Sequence, residues 1–264
     1  PRSSWSYYYD LDRWFFAFRN ITRATDRRTS IFSLLRGCAA MNEGAPVIRL
    51  DHAKALQAFR DITNSTNERT LIVDNIPSGP AGHNTSVIAY RHSHAVAFAL
   101  VLANMNSIPL DWSARMSVGG VHMSFFIVKQ LPVLPPDTYL RPSSTGLPYV
   151  QLIVPRVLEL TYTSKEMGGF ANDLGFAGPP FLWDEERRHC LRCELDAIFA
   201  QMYGLTRSDL EWILDAQAPS SSFPSLKHNE MLAFGEYRTQ RYVLQAFDLI
   251  EQGFVPDLFA EMRK

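Results

Sequence analysis

The chain has 264 residues, 46% hydrophobic and 20% charged, which is ordinary for a soluble globular protein of one large domain or two small ones. Its formal net charge of −1 excludes a global electrostatic pull toward nucleic acid, so any such affinity has to come from a local basic face. Three cysteines exclude a disulfide framework, and no apolar run approaches the roughly 20 residues that span a bilayer. A cytoplasmic protein without a membrane partner is expected. The opening Pro1-Arg2-Ser3-Ser4-Trp5 carries no signal-peptide pattern and no start methionine, which points to a piece of a longer protein.

The first pattern along the chain is a near-repeat. Phe18-Arg19-Asn20-Ile21-Thr22-Arg23-Ala24-Thr25-Asp26-Arg27-Arg28-Thr29-Ser30-Ile31 is echoed by Phe59-Arg60-Asp61-Ile62-Thr63-Asn64-Ser65-Thr66-Asn67-Glu68-Arg69-Thr70-Leu71-Ile72. Each copy joins two β-prone stretches through a connector rich in Thr, Asn and Asp. Their side-chain oxygens bond nearby backbone amides and favour turns. Each copy therefore predicts strand, turn, strand. Arg19, Arg23, Arg27, Arg28, Arg60, Asn64 and Arg69 become candidate DNA contacts: arginine grips phosphate or guanine through a planar fork, and asparagine can pair with adenine. A solvated turn with structural arginine pairs is the competing meaning of the same spacing.

Asn75 to Asn84 holds two Pro and two Gly and predicts a loop. Ser93 to Met105 is rich in Ala and Leu and predicts a buried helix capped by Ser93. Asn106 to Arg115 follows with apolar anchors. Gly119-Gly120 then opens an apolar run that stops at Pro135-Pro136, which predicts a tight turn, a buried strand and a rigid exit. Arg115, Gly119, Gly120 and His122 join the DNA-binding candidates, because glycine lets a backbone approach closely and Arg115 adds a donor for phosphate. A strand-entering turn with a structural histidine fits equally well.

Pro142-Ser143-Ser144-Thr145-Gly146 centres a linker over 137–148, and the character beyond it is helical. Tyr149 to Tyr162 predicts a helix with Pro155 near its start or at a kink. Asp184 to Tyr203 predicts a long amphipathic helix stopped by Gly204. Thr206 and Asp209 stand at capping-box distance. The stretch from about Glu230 to Glu251 predicts a last helix with Tyr242, Leu244, Ala246, Phe247 and Ile250 inward. Cys190 and Cys193 beside His189 fall inside the helical pattern, and Cys38 is too distant in sequence to complete a zinc set. The architecture expected is α+β: a mixed or antiparallel sheet with a buried helix over 1–136, the linker 137–148, and a helical C-terminal part over 149–264.

Four blocks, in order, carry a resemblance. They are the two Phe-Arg-x-Ile-Thr-x-x-Thr-x-x-Arg-Thr copies; Gly119-Gly120-Val121-His122 through Phe125-Phe126-Ile127 to Lys129-Gln130-Leu131-Pro132-Val133; Trp183-Asp184-Glu185 through Glu194-Leu195-Asp196-Ala197 to Tyr203-Gly204-Leu205; and Gly235-Glu236-Tyr237-Arg238-Thr239. Together they resemble the C-terminal target-recognition region of large adenine-N6 DNA methyltransferases of restriction–modification and phage-defence systems. The resemblance implies a double-stranded DNA partner and a methyltransferase domain, carried elsewhere in the parent chain, that uses S-adenosylmethionine. It implies no cofactor and no catalytic residue within these 264 residues. Gly178-Pro179-Pro180-Phe181 looks like the methylase Asn/Asp-Pro-Pro-Tyr/Phe loop, but Gly178 has no side chain to accept from a target amino group. The alternative reading is a scaffold that docks the methyltransferase or a defence-complex partner.

Overall fold

The structure, a computed structural model, describes residues 14–18, 32–36, 55–77, 84–88, 94–215 and 222–263. β1 (Trp14–Phe18) pairs antiparallel with β2 (Phe32–Arg36). β3 (Ala55–Arg60) is the centre of an antiparallel sheet between β4 (Val73–Pro77) and β5 (Thr85–Ile88). The near-repeat is thus a repeat of structure. Trp14 faces Arg36 and Phe18 faces Phe32; 41 residues on, Ala55 faces Pro77 and Phe59 faces Val73. The expected loop starts late, because β4 continues to Pro77.

β3 is buried on both faces, with Leu56 and Ala58 on one and Gln57 and Phe59 on the other. The Gln57 amide is satisfied there by Asn75 Oδ1 and the Phe98 carbonyl, each at 3.0 Å. Against this sheet lies α1 (Ala95–Met105), buried along Phe98, Ala99, Leu102 and Ala103. Its first helical residue is Ala95 with His94 at the cap position, and Ser93 lies outside the described residues. α2 (Ile108–Ser117) turns away at 62°. Its amphipathic spacing is masked in sequence by Pro109, which sits harmlessly in the first turn where no backbone donor is needed.

The Gly119 to Pro136 segment departs from expectation, for it is not a buried strand. Phe125–Val128 form a single helical turn, α3, and Phe125 and Phe126 are exposed. A buried strand needs a run of ladder partners, and among the described residues the segment pairs only with the turn beyond β3. That pairing is one bridge, Ile62 with His122, after which the segment coils.

The expected linker is packed on the core: a 3-10 turn over Pro136–Leu140 buries Tyr139 edge-on to Phe199. α4 (Tyr149–Thr161) carries Pro155 in its middle. α5 (Gly168–Asp173) leads to the Pro-Pro loop, where a Cβ on Gly178 would meet the Phe176 ring at 2.6 Å and displace it. α6 (Glu185–Met202) is the central helix, buried from Cys190 to Ala200 except at exposed Arg192. Its buried acids are paired: Glu194 takes Arg156 at 2.7 Å and the Leu258 amide at 2.8 Å. α7 (Arg207–Asp215) opens with the expected capping box, Thr206 Oγ1 donating to Asp209 at 2.6 Å and the Asp209 amide donating back at 3.1 Å.

The expected last helix is two: α8 (Pro224–Phe234) and α9 (Arg238–Glu251), followed by α10 (Leu258–Glu261). Gly235 at φ +73° ends α8 in the left-handed conformation, and the residues expected to face inward on α9 are all buried. One apolar core runs from Phe59 and Leu71 through α1, α4 and α6 to α9. The fold is α+β with a helical C-terminal part. Among the described residues no single helix is long and apolar enough to cross a membrane; α1 and α2 reach that length only as a bent pair.

Candidate nucleic-acid interface

The second repeat connector, residues 61–72, is held by one ion pair on α2. Asp111 and Arg115, one turn apart, divide the backbone between them. The Asp111 carboxylate accepts from the amides of Thr70 at 2.8 Å and Leu71 at 2.6 Å. Arg115 donates Nε to Asp111, Nη1 to the carbonyls of Ser65 and Ser222, and Nη2 to those of Asn67 and Glu68. All five guanidinium donors are used, and the group lies 4.1 Å over the Phe223 ring. Burial lowers the Arg115 pKa against the pull of Asp111. Arg115 therefore has no free face for phosphate, contrary to the sequence expectation.

Arg69 and Asn64 are also engaged within the fold. Arg69 Nη2 reaches Asp196 on α6 at 2.9 Å, and the other Asp196 oxygen accepts from the Ile108 amide at 2.7 Å, capping α2. Burial raises the Asp196 pKa despite Arg69. Asn64 Oδ1 accepts from the Thr66 amide at 2.9 Å, forming an Asx turn. Sequence spacing identified these residues as important but not which way they face.

Gly119, Gly120 and His122 are exposed and Arg60 half-buried, at the two ends of one short backbone pairing. The Thr63 amide donates to the Val121 carbonyl at 3.0 Å and the Met123 amide to that of Asp61 at 2.6 Å. A short two-stranded ribbon, 61–63 against 121–123, results. His122 Nδ1 lies 2.9 Å from Asp61 Oδ2, with the imidazole 60% exposed. The half-buried Arg60 guanidinium has no partner among the described residues. Gly119 and Gly120 are exposed, have no left-handed φ, and leave nothing within 4 Å of an added Cβ. Nothing among the described residues requires glycine at either position. Ile62, Val121 and Phe126 extend the exposed rim, with Phe125 anchored edge-on to Phe59 at 5.0 Å. Sequence reasoning missed Asp61 and Ile62, although both stand inside the repeat. Arg19, Arg23, Arg27 and Arg28 lie outside the described residues.

A separate cleft of about 440 Å³ lies between α6 and α8, lined by Arg69, His189, Arg192, Asp196, Asn229 and Glu230. Within it Arg69 pairs with Asp196, and Glu230 accepts from the Thr239 amide and hydroxyl. Burial, then Arg192 and Arg238, push the His189 imidazole down to about 4. Burial raises the Cys190 thiol to about 11 and Cys193 well above its ordinary value, so both thiols under α6 stay protonated near neutral pH. The arrangement offers no thiolate and no imidazolium near neutrality.

Comparison of the chain with protein-family models, with curated proteins and with solved structures returned no match.

Proposed function

We propose that this chain is a target-recognition module for double-stranded DNA, acting in the cytoplasm and serving an adenine-N6 methyltransferase domain that binds S-adenosylmethionine. The observation that carries the reading is the ribbon itself. Two sequence blocks some 60 residues apart, the Arg-x-Ile-Thr repeat and the Gly-Gly-x-His motif, are joined edge to edge at Ile62 and His122. Their shared outer surface presents an open glycine pair that the fold does not explain. A backbone without side chains admits close approach of a phosphate chain.

The repeats divide in charge. Residues 60–72 hold two arginines against Asp61 and Glu68, whereas 19–31 hold four arginines against Asp26 alone. Affinity for phosphate is accordingly assigned to Arg19, Arg23, Arg27, Arg28 and Arg60, and base reading to the ribbon. Arg69 and Arg115 shape the connector instead.

Binding of mixed-sequence duplex DNA across a salt series tests this. Affinity is expected to fall steeply with salt, and Gly119→Val with Gly120→Val to weaken binding without lowering stability. A flat salt response, or no binding at low salt, sinks the reading. The second reading, a docking scaffold, is favoured by the exposed run Met231 to Gly235 ending α8 and by Leu182, 93% exposed on the Pro-Pro loop. It predicts the opposite result in the same experiment.

A further inference from the structure

The outer face of the ribbon supports a finer reading, which rests on the DNA-binding proposal above. Ile62 and His122 are directly opposed. The backbone bonds on either side of them, at Thr63–Val121 and Asp61–Met123, make them a non-hydrogen-bonded pair. In such a pair the side chains lie closest together and on one face, with Cβ atoms about 4.5–5.5 Å apart. Both are exposed, Ile62 at 38% and the His122 ring at 60%.

Asp61 fixes the chemistry of that ring. Its Oδ2 lies 2.9 Å from Nδ1, and an ionised carboxylate can only accept. Nδ1 therefore carries the proton, and in the neutral tautomer Nε2 is the acceptor, on an imidazole that is 60% exposed. The face offers a hydrogen-bond acceptor and an apolar side chain side by side. It does so on a two-stranded ribbon, a shape that the major groove admits.

In that groove an A·T pair presents an amino donor at adenine N6 and a methyl group on thymine. A G·C pair has an amino donor on cytosine but no methyl. We propose that the ribbon of residues 61–63 and 121–123 reads an A·T pair in the major groove. His122 Nε2 accepts from the adenine amino group and Ile62 packs on the thymine methyl. Asp61 is a positioning residue: it holds the tautomer and touches no base.

The test begins with enrichment of a random-sequence duplex library on the wild-type chain. Binding is then measured to the enriched duplex after thymine→uracil replacement, which removes the methyl, and adenine→purine replacement, which removes the amino group. Each is expected to weaken wild-type binding by about tenfold at one A·T pair. Ile62→Ala should lose the distinction between thymine and uracil only. His122→Ala and Asp61→Ala should lose that between adenine and purine only. Because the DNA is altered and the wild-type protein is not, misfolding cannot imitate the result. An enriched site without an A·T pair, or unchanged affinity after both replacements, overturns the inference and leaves DNA binding standing. Absence of binding to any duplex at low salt overturns both.

Discussion

Arg115 shows how a buried charge can specify one loop conformation. Its five donors meet Asp111 and four backbone carbonyls of two segments, 65–68 and Ser222. Removing one member leaves an uncompensated buried carboxylate and four carbonyls without their shared donor. Arg115→Met is expected to cost about 3–5 kcal/mol in urea unfolding, and Asp111→Asn combined with Arg115→Met less than the sum of the two single changes. His189 sets a pH dependence at the same scale. Its pKa falls from 6.5 to about 4 on folding, chiefly through burial. A depressed histidine contributes stability that is present above the unfolded value and lost as pH falls toward the folded one. Between pH 6.5 and 4 the wild type should therefore lose about 1–2 kcal/mol relative to His189→Gln, after discounting for partial exposure. Parallel slopes for the two proteins in that window would contradict the assignment.

At the scale of elements, glycines divide into those the fold demands and those it does not. Gly235 ends α8 at φ +73°, where a side chain is strained. Gly235→Ala is expected to lower stability by about 1 kcal/mol. Gly119 and Gly120 carry no such conformation, and Gly119→Ala should stay within about 0.5 kcal/mol of wild type by the same denaturant measurement. Legibility in the sequence follows the same division between local and distant causes. The Thr206–Asp209 box, α6 and the inward face of α9 were readable because caps and helical spacing act within one or two turns. The Gly119 to Pro136 run misled because its apolar content fits a strand, while strand formation depends on a partner that folding brings alongside, and here the pairing ends after one bridge. The break at Gly235 was equally hidden, since the residues on both sides continue a helical pattern.

Across the whole molecule, polar contacts from α1, α2 and α6 tie the sheet and its connector to the helical part. Asp196 on α6 holds Arg69 in the connector and the first amide of α2 at once. Asp196→Ala should loosen the connector together with the start of α2. Trypsin would then cleave after Arg69 at a concentration that leaves the wild-type connector intact, with the site read by mass spectrometry. Protection unchanged by the substitution would show that the Asp111–Arg115 pair and the apolar core suffice to hold the hairpin in place.

The amino-acid sequence was enough for the α+β class, the paired strands flanking each copy of the repeat, and the positions of α1, α4, α6, α7 and α9, and it singled out Asn64, Arg69 and Arg115. These follow from local propensity, spacing and self-similarity. Tertiary structure alone decided their direction. Arg69 and Arg115 turn inward because Asp196 and Asp111 wait there on helices far along the chain. His122 is placed outside beside Asp61 because residues 121–123 pair with the turn beyond β3. A guanidinium in a repeat has the same local signature in either role, and only the partner brought to it by folding separates a structural arginine from an exposed one.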